Sequence, residues 1–296
     1  MRRFDLALFL ELNEAYRDRP LVPVPRSSEP AMIASRGAAR AQKLARNFDL
    51  EGKSVLEIGC GRGEVARALA AEHGCRVVAV DIKRRADWAD ASGVEFLVAD
   101  LSEGAPAALG RFDLIFSNSV WEHLRHPYAM LEQARKLLAP DGVFRLSANL
   151  YRGPKASHRY REVFFPWPHL LFEDDVFEDF YRQIGMRPAR PAWVNHLTAA
   201  EYQRYFDLLG FTAHKLWYSI TPLDREFYER FEDRLSRYPI FDLERDFIHV
   251  TLGHRAGGPP SPGLRAEGDR PWRALTRRLR RRFRPKPSRE RQPGPD

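Results

Sequence analysis

The chain contains 296 residues, of which 44% are hydrophobic and 30% are charged, and its formal net charge is +8. This length and apolar content predict one large domain, or one domain with additions. No apolar run reaches the ~18 residues of a membrane-spanning helix. The two cysteines form neither a disulfide framework nor a zinc site, so we expect a cytoplasmic protein without a structural metal.

The excess positive charge lies at the C-terminal end. Residues 256–296 contain 12 Arg or Lys against four Asp or Glu, which accounts for the whole +8, so residues 1–255 hold 36 basic and 36 acidic side chains. The basic character therefore belongs to a tail and says little about the folded body.

The N-terminal residues superficially resemble a signal peptide, with basic residues before an apolar stretch. Asp5 and Glu11 interrupt that stretch, and no small-residue cleavage site follows, so residues 1–19 predict an amphipathic helix. The proline-rich segment 20–30 predicts an extended linker, and the helix formers of residues 31–48 predict a second helix.

Residues 53–70 (KSVLEIGCGRGEVARALA) are the stretch around which the chain is organised. The apolar run 55–58 predicts a buried strand, Gly59, Gly61 and Gly63 a tight turn, and the residues after them a helix. A strand, a glycine turn and a helix form half of a nucleotide-type binding crevice. Glycine lets the backbone turn tightly and approach a ligand closely.

Further strands and helices alternate along the chain. Strands are predicted at 76–80, 94–98, 112–116, 143–148, 211–220 and 247–252; helices at 127–138, 198–209 and 224–238; and a turn at 140–142. Thr198 and Glu201 have the spacing of a capping box. Short strands alternating with helices predict an α/β fold with a doubly wound, mostly parallel sheet and helices on both faces.

Three regions follow from this pattern. Residues 1–30 are an N-terminal helix and linker, and residues 31–255 are the α/β domain. Periodicity is lost within 150–196, an aromatic, Arg- and His-rich stretch that we interpret as a substrate-covering insertion. The Pro-, Gly- and Arg-rich residues 256–296 predict a largely disordered tail.

The glycine pattern alone does not identify a cofactor, because dinucleotide-binding folds also use it. Glu64 stands where the dinucleotide fingerprint needs its third glycine. Glu57, inside the apolar strand, would repel pyrophosphate and suits an amine-bearing ligand. Asp81 ends the second strand, where a carboxylate can bind a ribose diol, and Asp100 ends the third.

Five segments together resemble the class I S-adenosylmethionine-dependent methyltransferases. They are VLEIGCGRGEVARAL, VVAVDI, VEFLVADL, FDLIFSNSVWEHLRHP and LLAPDGVFRLS, within residues 53–149. The resemblance implies a Rossmann-like sheet of seven strands in the order 3-2-1-4-5-7-6, the last strand antiparallel, and S-adenosyl-L-methionine as cofactor.

The resemblance also implies roles by position. The expected cofactor-binding residues are Gly59, Gly61 and Gly63 beside the methionine part, Glu57 near its amino group, Asp81 on the ribose, Ile82, Asp100 and Leu101 around the adenine, and Asn118 after the fourth strand. His123, in Trp121-Glu122-His123, matches a position that this family commonly fills with His.

The insertion should contact the methyl acceptor, because ligands bind outside the carboxyl ends of the strands. Its aromatic, Arg and His side chains suit a polar, sugar-like or anionic acceptor. Methyl transfer from a sulfonium needs no metal, but a hydroxyl acceptor benefits from a general base near neutral pH. We therefore expect an O-methyltransferase acting on a glycan-type or other small polar hydroxyl, with His158 or His169 as base and His123 as a further candidate.

Other functions stay open at this point. A nucleic-acid methyltransferase is supported only by the basic tail, because no nucleic-acid recognition module is evident. A nicotinamide oxidoreductase is disfavoured by Glu57 and the missing third glycine. A non-catalytic member of the family could keep the fold as a cofactor-binding interaction module.

The tail suggests a peripheral location. Trp272, Leu275, Leu279 and Phe283 recur at helical spacing among arginines, a pattern that suits an anionic membrane surface. A disordered tail attracted to nucleic acid is the alternative.

Overall fold

The computed structural model describes residues 3–23, 29–89 and 93–254. Its centre is a sheet of seven strands in the order β3-β2-β1-β4-β5-β7-β6. The strands are β1 Ser54–Ile58, β2 Arg76–Asp81, β3 Val94–Val98, β4 Phe112–Asn118, β5 Leu138–Asn149, β6 Phe211–Ile220 and β7 Arg245–His254. Five strands pair in parallel, whereas β7 is antiparallel to both β5 and β6. The predicted fold and strand order are confirmed.

Helices cover both faces of the sheet. They are α1 Leu6–Ala15, α2 Pro30–Asn47, α3 Glu64–His73, α4 Pro127–Leu137, α5 Pro168–Leu171, α6 Asp174–Gln183, α7 Ala199–Leu208, α8 Arg225–Arg230, α9 Glu232–Leu235 and α10 Ile240–Leu243. Buried residues of α2 and α3 share one apolar cluster with the sheet, and those of α4 and α7 share another. Each face of the central strands is thus buried, which explains their continuous apolar sequences. The capping box at Thr198 and Glu201 is present at the start of α7.

The insertion and the N-terminal helix meet in an aromatic cluster, which buried residues of α8, α9 and α10 complete. Phe9 of α1 is fully buried and its ring packs against four phenylalanines of residues 165–180, at centroid distances of 4.8–5.2 Å. Aromatic pairs at such distances add stability beyond their buried area. The segment 150–196, whose sequence lacks periodicity, is therefore a folded unit that includes α5 and α6.

Two predicted elements differ from the structure. The predicted helix 224–238 is divided into α8 and α9, because Phe231 leaves helical geometry (φ −120°) and is fully buried in the aromatic cluster. The predicted turn 140–142 lies within β5, where the register against β4 shifts between Phe112 and Leu114. There the chain bulges out of the ladder without ending the strand.

Among the described residues, no helix combines the length and apolarity needed to cross a membrane. The predicted basic stripe with Trp272, Leu275, Leu279 and Phe283 lies outside the described residues.

Candidate functional site

The glycine turn follows β1 at the carboxyl edge of the sheet. Gly59, Gly61 and Gly63 all have positive φ, of 74°, 55° and 75°. A Cβ on Gly59 would lie 2.3 Å from a methyl carbon of Val120, and one on Gly63 would lie 2.5 Å from the Phe96 ring. Both conformation and space therefore require glycine at these two positions.

Trp88 supports this turn from outside. Its indole Nε1 donates a hydrogen bond of 3.0 Å to the carbonyl oxygen of Gly61. Its ring stacks on Phe96 at 4.8 Å, the ring that closes over Gly63. The sequence analysis missed Trp88, because it lies outside every motif.

A first cavity, of about 350 Å³, opens beside the glycine turn. Its walls include Glu57, Gly59, Gly61 and Asn118, together with the basic side chains Arg36, Arg40 and Arg161. Glu57 is 6% exposed, and its Oε2 atom has no hydrogen-bond partner among the described residues. Burial, and next the neighbouring Glu64, hold the pKa of Glu57 well above its ordinary value. A cationic group bound in this cavity would stabilise the ionised Glu57 carboxylate and give its Oε2 atom a hydrogen-bond donor.

A second cavity, of about 530 Å³, adjoins the first at Gly59. Asp81 and Ile82 form part of its wall, and Leu101 another part. The Asp81 carboxylate is partly engaged, because Oδ2 accepts from the Gly61 N–H at 2.9 Å and Oδ1 from the Lys83 N–H at 3.1 Å. Ile82 presents an exposed apolar side chain to the cavity.

Asp100 is not among the wall residues of these cavities. Its Oδ1 atom accepts hydrogen bonds from both the backbone N–H and the hydroxyl of Ser102, at 2.9 and 2.6 Å. The structure thus gives Asp100 the geometry of a turn cap after β3.

A third cavity, of about 430 Å³, meets the second at Ser119 and His123. Its remaining wall residues are Leu21, Val22, Pro23, Glu122, Asn149, Lys155, His158, Tyr160 and Phe247. They come from the N-terminal segment, the loop after β4, the end of β5, the insertion and β7. The structure thereby brings together His123 and His158, which lie far apart in the sequence.

Glu122, His123 and His158 form a compact cluster at this wall. Their nearest oxygen and nitrogen atoms all lie within 4.8 Å of one another, and the two imidazole rings meet edge to face at 5.1 Å. Glu122 is 1% exposed, and neither of its carboxylate oxygens has a hydrogen-bond partner of normal geometry among the described residues. Burial raises the pKa of Glu122 to about 7, partly offset by nearby backbone N–H groups.

The backbone is strained at the same place. Ser119 and His158 adopt the left-handed conformation, with φ of 57° and 56°. Non-glycine residues reach this region at a cost, and such residues concentrate at functional sites. Ser119, where two cavities meet, is held there by its N–H bond of 2.8 Å to the carbonyl of Ser147.

Lys155 contributes a paired charge to the third cavity. Its Nζ atom donates to Asp246 Oδ2 at 3.0 Å and to Thr221 Oγ1 at 2.8 Å. Asp246 is almost completely buried, so this ion pair fixes the ammonium group against the wall.

His169 does not reach the third cavity, contrary to its predicted part in catalysis. Its Nε2–H donates to the carbonyl oxygen of Tyr151 at 2.7 Å, and the Tyr151 ring packs against it. Burial lowers the pKa of His169 to about 4. The structure thus places His169 beside Tyr151 and not among the wall residues of the three cavities.

His169 should make stability depend on pH. Its folded pKa of about 4 lies below its ordinary value of 6.5, so only the unfolded chain binds a proton as the pH falls through this window. Because of this histidine, the free energy of unfolding should fall by about 2 kcal/mol between pH 7 and pH 5. In urea unfolding, His169→Gln should reduce the acid-induced loss by that amount. The exposed His126→Gln variant should keep the wild-type loss, and an unchanged loss in His169→Gln would contradict the assignment.

Comparison with known proteins supports one family. A family model described as a methyltransferase domain matches residues 33–216, well over half of the chain. The chain is similar to a ubiquinone biosynthesis O-methyltransferase of Cereibacter sphaeroides, at 33% identity over 50% of this chain and 68% of that protein. It is also similar to a tRNA U34 carboxymethyltransferase of Alteromonas mediterranea, at 28% identity over 51% of this chain and 50% of that protein.

Among solved structures, the chain is similar to an S-adenosylmethionine-dependent methyltransferase from Mesorhizobium loti. The identity is 20%, the TM-score is 0.49, and the match covers 74% of this chain and 99% of the other. The matches to the two relatives span half to two thirds of their lengths and about half of this chain.

Proposed function

This chain belongs to the methyltransferase domain family, whose cofactor is S-adenosylmethionine, and on that premise we propose that it methylates a hydroxyl group of a small polar acceptor. The observation that carries the proposal is the third cavity, which joins the second at Ser119 and His123. A methyl donor bound at the glycine turn and an acceptor in the third cavity would thus meet across that junction.

The residues around the first two cavities fit the cofactor. The Oε2 atom of the buried Glu57, which has no hydrogen-bond partner among the described residues, suits the ammonium group of the methionine part, and the basic side chains Arg36, Arg40 and Arg161 suit its carboxylate. Asp81 and Ile82 offer a carboxylate and an apolar surface to a nucleoside. Asn118, at the end of β4, lines the first cavity, and Leu101, which follows β3, lines the second. Asp100 stays a prediction, because its Oδ1 atom caps a turn while its neighbours Ala99 and Leu101 line the second cavity.

The chemistry expected of these residues is alignment and proton removal. S-adenosylmethionine, when bound, supplies a methyl group on a sulfonium. The acceptor oxygen attacks the methyl carbon, the carbon–sulfur bond breaks with its electron pair left on sulfur, and the hydroxyl proton is lost. The products are a methyl ether, S-adenosylhomocysteine and a proton. Glu122, His123 and His158 face the acceptor cavity and would promote loss of that proton.

The acceptor class follows from the third cavity. Its volume of about 430 Å³ lies in the range of small-molecule sites. Tyr160 and Phe247 give it apolar surface beside the polar cluster. The two relatives compared are named for ubiquinone biosynthesis and for tRNA, so a sugar or glycan acceptor has no support from them. We therefore propose a small hydroxyl compound, and not a sugar or glycan, as the methyl acceptor.

A labelled-methyl assay tests this proposal. Full-length protein is incubated with methyl-labelled S-adenosylmethionine and, separately, small phenolic and dihydroxy compounds, free sugars, and bulk tRNA. We expect label in an ether of a small hydroxyl compound. Labelling confined to tRNA would instead favour the nucleic-acid alternative, and release of label only as hydrolysed cofactor would contradict transfer to a hydroxyl.

Glu57→Gln should separate cofactor affinity from stability. The substitution replaces a buried carboxyl group, whose Oε2 atom has no hydrogen-bond partner among the described residues, by a neutral amide, so the free energy of unfolding of the cofactor-free protein should be unchanged or higher. Affinity for S-adenosylmethionine should fall roughly 10- to 100-fold, because a charged hydrogen bond becomes neutral. Calorimetry measures the affinity, and urea unfolding measures the stability. Glu72→Gln, an exposed substitution in α3, should change neither; wild-type affinity in Glu57→Gln would remove Glu57 from the cofactor site.

A further inference from the structure

The cluster of Glu122, His123 and His158 has the composition of a metal site. It offers one carboxylate and two imidazoles, with the ligand atoms within 4.8 Å of one another. All three side chains line the third cavity. Glu122 stands out because it is 99% buried, yet neither oxygen is satisfied within the described residues. Burying a carboxylate without a partner is costly, and binding a cation is one of the few ways to offset that cost.

The surroundings of the cluster resemble the outer shell of a metal centre. The Nδ1 atom of His123 lies 3.0 Å from the carbonyl oxygen of Trp193. A carbonyl can only accept, so Nδ1 carries the proton and Nε2 keeps its lone pair. Metal-binding histidines have this arrangement, in which the second nitrogen donates to a carbonyl or carboxylate.

Hydrogen bonds also hold the side chain of His158 and the backbone at Glu122. The Asn149 amide donates to the Asp246 carbonyl at 2.7 Å, which turns its Oδ1 atom toward Nε2 of His158, at 3.4 Å. The carbonyl oxygen of Glu122 accepts the N–H of Asn195 at 2.8 Å. Asn195 also donates from its side chain to the Trp121 carbonyl at 2.7 Å. The short helical turn that carries Glu122 and His123 is thereby tied to the insertion.

We propose that Glu122, His123 and His158 bind one divalent transition-metal cation, which leaves open coordination positions facing the acceptor cavity. Three protein ligands with open positions are typical of catalytic rather than structural metal sites. Two imidazoles with one carboxylate favour Mn²⁺, Fe²⁺, Co²⁺ or Zn²⁺ over Mg²⁺ and Ca²⁺, which prefer oxygen ligands. Metal–ligand bonds of about 2.0–2.2 Å require the three atoms to draw closer, to about 3 Å apart.

The charges facing the cluster allow a cation. Lys155 is the nearby basic wall residue of the third cavity, and its ammonium is neutralised by Asp246 at 3.0 Å. The cation would therefore meet one buried carboxylate without facing an uncompensated positive charge from Lys155. Its positive charge would in turn stabilise the ionised Glu122.

The cation's role in transfer rests on the proposed function, although its binding does not. A divalent metal would lower the pKa of a hydroxyl group coordinated to it and so favour loss of its proton. The proton passes to water, and the oxygen then attacks the methyl carbon as described above. The sequence predicted no metal, because Glu122 and His123 are separated from His158 by 35 positions and no spacing links them.

Direct binding of Mn²⁺ tests the site without an acceptor. Full-length protein is stripped with chelator, and free Mn²⁺ is followed by electron paramagnetic resonance during titration. We expect one Mn²⁺ per chain, with at least a tenfold weaker dissociation constant in Glu122→Gln and in His158→Gln. His126→Gln, an exposed histidine near His123, is the matched control and should bind as the wild type does.

Folding is verified in each variant by calorimetric binding of S-adenosylhomocysteine. Absence of saturable Mn²⁺ and Zn²⁺ binding by the wild type overturns the proposal, as does wild-type Mn²⁺ affinity in folded Glu122→Gln and His158→Gln. If Mn²⁺ binds through these residues but no hydroxyl compound is methylated, the metal site stands and the proposed function fails. If stripped enzyme methylates a hydroxyl as fast as the Mn²⁺-loaded enzyme, the proposed function stands and the metal's role in transfer fails.

Discussion

Replacing His158 by Gln should lower the rate of methyl transfer to a hydroxyl acceptor by about 10²- to 10⁴-fold, the usual contribution of a group that promotes proton transfer. His123→Gln should have a loss of the same order, because its ring contacts His158 at 5.1 Å and both line the acceptor cavity. The rate constant is measured with methyl-labelled S-adenosylmethionine and the hydroxyl compound that becomes labelled in the assay described under the proposed function.

Binding of S-adenosylhomocysteine distinguishes this loss from unfolding. His158 is not among the wall residues of the first two cavities, so His158→Gln should bind the product cofactor within a factor of about three. His169→Gln tests the alternative base directly, because His169 is bonded to Tyr151 away from the cavity. Its turnover should stay close to that of the wild type, and a larger loss there than in His158→Gln would reverse the assignment.

Gly59→Ala should destabilise the protein by about 2–5 kcal/mol. A left-handed conformation costs an alanine about 1–2 kcal/mol, and the overlap with Val120 adds about 1–3 kcal/mol. The added Cβ would lie 2.3 Å from the Val120 side chain, which also lines the second cavity. We therefore expect affinity for S-adenosylhomocysteine to fall at least about tenfold as Val120 shifts.

Gly52→Ala is the matched control for that substitution. Gly52 has nearly the same φ, 67°, but an added Cβ meets nothing within 4 Å, and Gly52 is not a wall residue of the three cavities. Gly52→Ala should lower the free energy of unfolding only by the cost of the left-handed conformation, about 1–2 kcal/mol. Its affinity for S-adenosylhomocysteine should be unchanged. Equal unfolding free energies for the two variants would show that contact with Val120 has no effect.

The cofactor half of the site could be predicted from sequence because its determinants are local. Gly59, Glu57 and Asp81 lie at the ends of adjacent strands, so a strand pattern and a few intervals suffice to bring them to one edge. Asp100 also follows a strand, but only the structure shows that its Oδ1 atom accepts hydrogen bonds from Ser102, so its predicted contact with the adenine stays a prediction.

The acceptor half could not be predicted because tertiary packing creates it. His158 and His169 look equivalent within the insertion, and only the fold turns one toward His123 and the other toward Tyr151. Glu122 carried no signal of its own, since a Glu beside a His is unremarkable in a sequence. Its burial depends on tertiary packing, which no local sequence pattern encodes.

The third cavity takes part of its wall from the N-terminal segment as well as from the insertion and the sheet. Leu21, Val22 and Pro23 form part of its wall, and the Leu21 N–H bonds to the Phe164 carbonyl of the insertion at 2.9 Å. If this cavity holds the acceptor, as proposed, both segments should influence which acceptor is methylated. In a chimera with another methyltransferase of this family, transplanting residues 150–196 alone would leave the cavity without one wall. The residues before position 24 must be transplanted together with the insertion if the chimera is to acquire its acceptor selectivity.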